Sequence, residues 1–267
     1  MTRRLRQNLI IALSVAVLVA CATSPLGRRQ FLLISDAEVS EAGIASYRQM
    51  QQKIPRATDT SQVRYVNCIS NAITAQIPNL KAAGPLRVPT GWEVTVFDSK
   101  DVNAFALPGG KIGVYTGLIK VANTQDQLAA VIGHEITHVL AGHSAERYSD
   151  QMASQVGGAV LQASTGINGE LIGMAANAFF LLPFSRVHET EADLLGLDLM
   201  ALAGFDPRQA ITLWQNMARA SGGQKPPEFM SSHPSDETRI RNLSERLAIA
   251  MPLYELARAE GRTPQCK

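Results

Sequence analysis

The sequence predicts an α+β fold, mainly α, with one small β-sheet. Three observations carry this. Helix-capping patterns recur ahead of apolar runs with helical spacing, and strand candidates are confined to residues 92–115, where 92–97 alternates and the others flank a Pro-Gly-Gly turn. From Thr124 onward the pattern is helical. The 267 residues are 46% hydrophobic and 18% charged, which excludes wholesale disorder and suits a single globular domain. A net charge of +2 and 6% aromatics give neither a general electrostatic grip on nucleic acid nor a stacking platform for it, so no nucleic-acid partner is expected. No internal repeat of solenoid length is found.

Arg3, Arg4 and Arg6 precede an apolar run from Leu9 to Ala20, broken only by Ser14. It has the length of a signal-peptide core and is too short to span a bilayer comfortably. It ends in Leu18-Val19-Ala20-Cys21, which resembles the lipobox of bacterial lipoproteins. That resemblance implies cleavage before Cys21 and lipidation of its thiol, hence a membrane attachment through the N-terminal lipid. An ordinary secretory signal, or an uncleaved anchor with Cys21 incidental, is the alternative. Ala22 and Thr23, with no Asp after the Cys, resemble lipoproteins sent to the outer membrane. The expected organisation is a signal peptide over 1–20, a lipidated tether over 21–34, and one folded domain over 35–267 in the periplasm.

Ser35 with Glu38 is a capping box that opens a helix to about Gln52, before Pro55. A second helix covers 60–76. Residues 81–91 are rich in Pro and Gly and read as loop. Strands are expected over 92–97 and 103–107; Pro108-Gly109-Gly110 turns the chain, and 111–115 returns as a hairpin. Thr124 with Gln127 caps a helix expected to run through 125–147. Residues 150–182 are apolar and rich in Gly and Ala, with polar breaks, and 171–182 read as a buried or interfacial helix too short for a membrane span. A helix from about 185 ends at Gly204, Asp206-Pro207 starts another, Ser235-Asp236-Glu237 a third, and a short C-terminal helix follows.

The segment His134-Glu135-Ile136-Thr137-His138 carries the chemistry. Two His one helical turn apart share a face and can offer both imidazoles to one Zn²⁺, with Glu135 beside the ion as a base for water. The flanks Val131, Ile132, Ile136, Val139 and Leu140 are apolar, and a helix that buried two His and a Glu for no purpose would incur uncompensated desolvation. A catalytic zinc needs a third protein ligand and one open position. Ala141 and Ser144 stand where the metzincin continuation needs Gly and His. On a continuous helix His143 would lie about 140° round from His138, so it reads as a surface residue or one behind the ligands. Downstream, Glu189 and Asp193 share a helical face; Glu189 would complete a His₂Glu set and Asp193 could bond the far nitrogen of His134 or His138. Glu191 points elsewhere.

H-E-x-x-H followed by Ser185-Arg186-x-x-Glu189-x-x-Ala192-Asp193 resembles the gluzincin family of CAAX prenyl endopeptidases and HtpX-like proteases, and within it the branch of periplasmic lipoproteins. Asn103-Ala104-Phe105 resembles the family's segment ahead of the zinc helix, and Ser232-His233-Pro234 with Arg239-Ile240 its later elements. The resemblance implies a zincin-like metallopeptidase domain, its small sheet or hairpin packed on the active-site helices, with one zinc per chain on His134, His138 and Glu189. It implies hydrolysis of internal peptide bonds in polypeptide substrates, with Glu135 as base and His233 as a second donor to the oxyanion. Asn103 is expected to bind substrate backbone, and Arg186 and Arg239 to pair with Asp193 or other carboxylates. Misfolded or misassembled envelope proteins are the expected substrates, and envelope-protein assembly machinery an expected partner. The rival function is a zinc-binding chaperone or assembly lipoprotein without proteolysis. A membrane-embedded prenyl-protein protease would need several long apolar spans, and only the signal region approaches one. A further reading of residues 150–182, from their composition and their place between the ligand segments, has them cover the cleft and gate it. Cys68 and Cys266 either pair, as an oxidising compartment permits, or stay independent thiols.

Overall fold

A computed structural model describes residues 21–153, 184–220, 228–233 and 237–267. In chain order the elements are β1 (Cys21–Thr23), β2 (Arg29–Phe31), α1 (Asp36–Lys53), α2 (Thr60–Thr74), β3 (Glu93–Phe97), β4 (Ala104–Leu107), β5 (Lys111–Tyr115), α3 (Thr116–Val121), α4 (Gln125–Leu140), α5 (Arg186–Leu202), α6 (Arg208–Ala220), α7 (Glu228–Ser232) and α8 (Glu237–Ala259). The mainly α, α+β class expected from the sequence is the class observed.

Helix starts follow from side chains that satisfy the first free N–H groups. Ser35 Oγ accepts from Glu38 N at 3.3 Å while Glu38 Oε2 accepts from Ser35 N at 3.0 Å, closing the capping box of α1. Asp59 caps α2, Thr124 caps α4 and Ser185 caps α5. The three-stranded sheet has the order β3-β5-β4, with β5 parallel to β3 and antiparallel to β4, so β4 is an edge strand. Both faces of the sheet are apolar because both are covered. Phe105 and Leu107 point to one side and pack with Phe97, Tyr115 and Tyr47 of α1, while Ala104 and Ala106 point to the other side, into the main core that includes α4.

Helices α4 and α5 cross at two glycines. A Cβ on Gly196 would stand 2.8 Å from the backbone N of His134, and one on Gly133 would stand 2.9 Å from the carbonyl O of Gly196. No side chain fits between the two backbones, so the helices approach as closely as glycine permits. This crossing sets the first two-thirds of α5 against the H-E-x-x-H turn of α4. Helix α8 packs along α5, where Arg246 forms a bidentate pair with Asp198.

Three features depart from the sequence reading, and one choice it left open, the pairing of the cysteines, is decided. The helix expected over 125–147 stops at Leu140, because Gly142 adopts φ +69°, and a new helical stretch covers 143–153. The run of small and apolar residues gave no sign of that break. The expected short C-terminal helix is part of α8, which runs on through Pro252, its apolar contacts Leu243, Ala250 and Ala257 holding it as one piece. Residues 21–34, read as a tether, are packed on the domain. They form the β1–β2 hairpin, with Ser24 and Gln30 buried and bonded to Glu191 and Glu146. Finally, Cys68 and Cys266 are joined by a disulfide with Cα atoms 5.6 Å apart, which ties the C-terminal tail to α2. The helix expected over 171–182, and most of 150–182, lie outside the described residues, as do Ser235 and Asp236. Among the described residues no helix is long and apolar enough to cross a membrane.

The crossing yields a test. Gly196→Ala should cost about 1–3 kcal/mol through overpacking and lower the thermal midpoint by several degrees. It should also reduce the divalent metal retained on purification, because the added methyl pushes α5 off the histidine turn. A melting curve and metal content equal to wild type would show that the helices have slack at this point.

Candidate metal centre

Helix α4 contributes His134, Glu135 and His138 to one buried cluster. Helix α5 contributes Glu189 and Asp193, the residue after α7 contributes His233, and α8 contributes Arg239. The spacing of four puts His134 Nε2 and His138 Nε2 on one side of α4, 3.0 Å apart. Glu189 Oε1 lies 3.4 Å from His138 Nε2 and Oε2 lies 3.5 Å from His134 Nε2. His233 Nδ1 is 2.9 Å from Glu189 Oε1 and 3.2 Å from His134 Nε2. One donor atom from each of His134, His138, Glu189 and His233 lies within 4.8 Å of all the others, and none of the four residues is more than 4% exposed.

These residues fit a zinc ion. The donor set is the nitrogen and carboxylate set that zinc takes. Two buried carboxylate oxygens in the cluster also lack a well-formed hydrogen bond. Glu189 Oε2 has Arg239 Nη1 at 2.9 Å and Glu135 Oε1 has His233 Nε2 at 3.3 Å, but neither contact has hydrogen-bond geometry. Bare buried oxygens are costly, and a divalent cation between the side chains supplies what they lack.

The electrostatics divide the carboxylates. Burial raises Glu189, but His233 and the hydrogen bonds of the three imidazoles outweigh it and hold the group well below the carboxylate range, so it stays ionised as a ligand must. For Glu135 burial wins over the pull of His233 and His134, and its pKa is raised. A raised carboxyl holds a proton more readily than an ordinary one, which suits a group that must take a proton and return it. His134 meets burial and the charge of Arg239, which lower it, yet Asp193 and Glu189 bring it up to about 9, whereas burial keeps His138 well below its ordinary value. Glu135 Oε2 also accepts from Ala106 N at 3.2 Å, which fixes the carboxylate beside edge strand β4.

The imidazoles are held from behind. His134 Nδ1 meets Asp193 Oδ1 at 3.0 Å, as the sequence led one to expect, and Arg239 grips Asp193 from Nε at 2.6 Å and Nη2 at 2.8 Å. The Arg239 guanidinium lies 3.5 Å over the Trp214 ring. Arg186 lies exposed in the first turn of α5. His143 is neither on the surface nor on the helix of His138. The break at Gly142 returns it so that its Nδ1 lies 2.9 Å from His138 Nδ1, and it is fully buried. Its Nε2 meets Glu191 Oε2 at 3.2 Å. Glu191 and Glu146 then share Arg28, and Glu146 also meets His188 at 3.0 Å. Sequence reasoning missed this tier: its contacts join residues 118 and 163 apart in the chain. The signal available was a set of ionisable residues, Glu146 on one helical stretch and His188 and Glu191 on another. Asn103 precedes β4, half-buried, and its carbonyl accepts from Tyr115 N; Cys21 opens β1.

A family model described as Peptidase family M48 matches residues 69–247. The chain is 44% identical over 157 residues to the mitochondrial metalloendopeptidase OMA1 of Schizosaccharomyces pombe, covering 58% of this chain and 47% of the relative. It is 32% identical over 216 residues to the Saccharomyces cerevisiae protein of the same name, covering 78% and 62%. It is 25% identical over 277 residues to the beta-barrel assembly-enhancing protease of Escherichia coli, covering 95% and 55%. The chain therefore spans only part of the length of these relatives.

The tier behind His138 predicts an acid dependence of stability. Burial raises the Glu146 carboxyl, but the hydrogen bonds from Arg28 and His188 outweigh it and bring it down to about 2. A depressed native pKa stabilises the fold above the ordinary carboxylate range, and that stabilisation is lost as pH falls toward about 2. Glu146→Gln should melt lower than wild type at neutral pH, and its midpoint should fall less steeply from about pH 5 to about pH 2. Parallel curves for the two proteins would contradict this.

Proposed function

The chain belongs to peptidase family M48, and from that premise we propose that it is a zinc-dependent endopeptidase of the bacterial cell envelope, attached to the membrane through a lipid on Cys21. The observation that carries the catalytic part is the convergence of His134, His138 and Glu189 from two helices, with Glu135 held next to an edge strand. A zinc ion bound there supplies Lewis acidity toward a carbonyl and lowers the pKa of water. Glu135 takes the proton from the attacking water and passes it to the leaving amine, a task its raised pKa suits. Asp193 holds His134 with its proton on Nδ1, leaving Nε2 free for the ion. An extended peptide pairs with β4, and Asn103 at the start of that strand bonds its backbone; this mode reads main chain and tolerates many sequences. Arg239 keeps Asp193 and Glu189 in register.

His233 stands among the ligands, where it has two uses, as a fourth ligand or as a donor toward the oxyanion. A fourth protein ligand closes the coordination shell, whereas a catalytic centre keeps one position for solvent. We assign His233 to the donor role during turnover.

The envelope location is supported by the N-terminal Arg residues, the apolar run and Cys21. It is also supported by the name of the Escherichia coli relative, although other relatives are mitochondrial by name. On the same support we place the chain among the periplasmic lipoproteins related to the CAAX and HtpX-like proteases, at the outer membrane. Misfolded or misassembled envelope proteins are the substrates and assembly machinery the partner. A zinc-binding chaperone would share the ligands but has no use for a buried base such as Glu135.

Glu135→Gln separates the two functions. It should bind zinc as wild type does and lose on the order of 10²–10⁴ in turnover of unfolded casein. Equal turnover in both proteins, or none in either after zinc loading, would sink the peptidase reading.

A further inference from the structure

We propose that the N-terminal hairpin, through Ser24 and Arg28, positions the metal ligand His138 by a hydrogen-bonded relay that runs through Glu191 and His143. The proposal rests on the reading of His138 as a zinc ligand.

The relay is continuous and its proton order is fixed. His138 can bind a cation through Nε2 only if its proton sits on Nδ1. That Nδ1 faces His143 Nδ1 at 2.9 Å, so His143 must accept there and carry its own proton on Nε2. His143 Nε2 faces Glu191 Oε2 at 3.2 Å, and a carboxylate can only accept. Glu191 in turn accepts from the Ser24 hydroxyl on Oε1, and from Arg28 Nε at 3.1 Å and Nη2 at 2.9 Å on Oε2. Every link therefore has one donor and one acceptor, and only the tautomer that leaves His138 Nε2 free satisfies the whole chain.

The relay is also held rigidly. Arg28 makes a two-pronged pair with Glu146, Nη1 to Oε1 at 2.6 Å and Nη2 to Oε2 at 2.7 Å, so its guanidinium cannot turn without breaking four bonds. His143 stacks on His188 at 4.5 Å between ring centres. His138 is thus oriented as His134 is by Asp193 and Arg239, with one more histidine interposed. Both terminal carboxylates, Asp193 and Glu191, come from α5, and each is clamped by an arginine from a different element. The hairpin that supplies Ser24 and Arg28 begins at Cys21, so the segment nearest the membrane attachment is built into the support of the metal centre.

The test is the zinc affinity of the full chain, measured by competition with a chromogenic chelator, together with the visible spectrum of the cobalt-substituted protein. Partners behind a zinc-binding histidine are worth 10–100-fold in metal affinity. His143→Leu should weaken zinc by about that factor and shift the cobalt bands, whereas His143→Gln, whose amide can both accept and donate, should recover most of the loss. Arg28→Gln alone should weaken zinc several-fold, and adding it to His143→Leu should cause no further loss, because the relay is already cut. Folding is checked by circular dichroism. If His143→Leu does not fold, Arg28→Gln and Ser24→Ala carry the test by the same loss of affinity. Wild type with tight zinc and folded variants of equal affinity would overturn the relay alone, as would multiplicative losses from Arg28 and His143. Wild type without stoichiometric zinc would overturn the metal centre and the relay with it.

Discussion

The close crossing of α4 and α5 is the constraint on which the rest depends. A histidine turn on one helix and a carboxylate on another are brought to one cluster here by two backbones that nearly touch. Gly133 and Gly196 allow this, each occupying the space a Cβ would need against the other helix. The immediate neighbour of Gly133 is His134, so the contact that sets the helix separation also sets the height of the first imidazole. Glu189 then reaches both histidines from two turns before Gly196 without any long loop to place it.

Bringing these groups together is expensive, since all the carboxylates and imidazoles are buried and only Arg28 keeps partial contact with solvent. The molecule meets the cost by pairing in tiers. Glu189 is surrounded by three imidazoles and Arg239; Asp193 by His134 and Arg239; Glu191 by His143, Ser24 and Arg28; Glu146 by Arg28, His188 and Gln30. Glu135 and Glu189 each keep one oxygen without a hydrogen bond, but their electrostatics diverge. Glu189 is held down by the imidazoles, whereas burial pushes Glu135 up, and Glu135 is the group from which proton transfer is asked.

The parts of this arrangement that are local in sequence were legible there. The capping box at Ser35, the alternation at 92–97 and the strand candidate at 103–107 each depend on neighbours a few residues away, as does the pairing of His134 with His138 on one face. Glu189 and Asp193 were legible because their spacing matches a helix turn and because the resemblance to a peptidase family pointed to them. The break at Gly142 was not, since Ala141-Gly142 in an apolar run looks like more helix, and with it went the place of His143. The role of 21–34 was hidden for a different reason. A short segment without periodicity carries no sign that Arg28 will meet carboxylates 118 and 163 residues away. Tertiary pairs of that kind obey charge and burial, and neither has a spacing that a sequence displays.

The most direct measurement is the zinc content of the purified full chain, wild type against Glu189→Ala, with both proteins checked for fold. The account requires close to one zinc per wild-type chain and a large loss in the variant, since the substitution removes the one carboxylate ligand and its negative charge. Equal metal in the two folded proteins, or none in wild type, would contradict it.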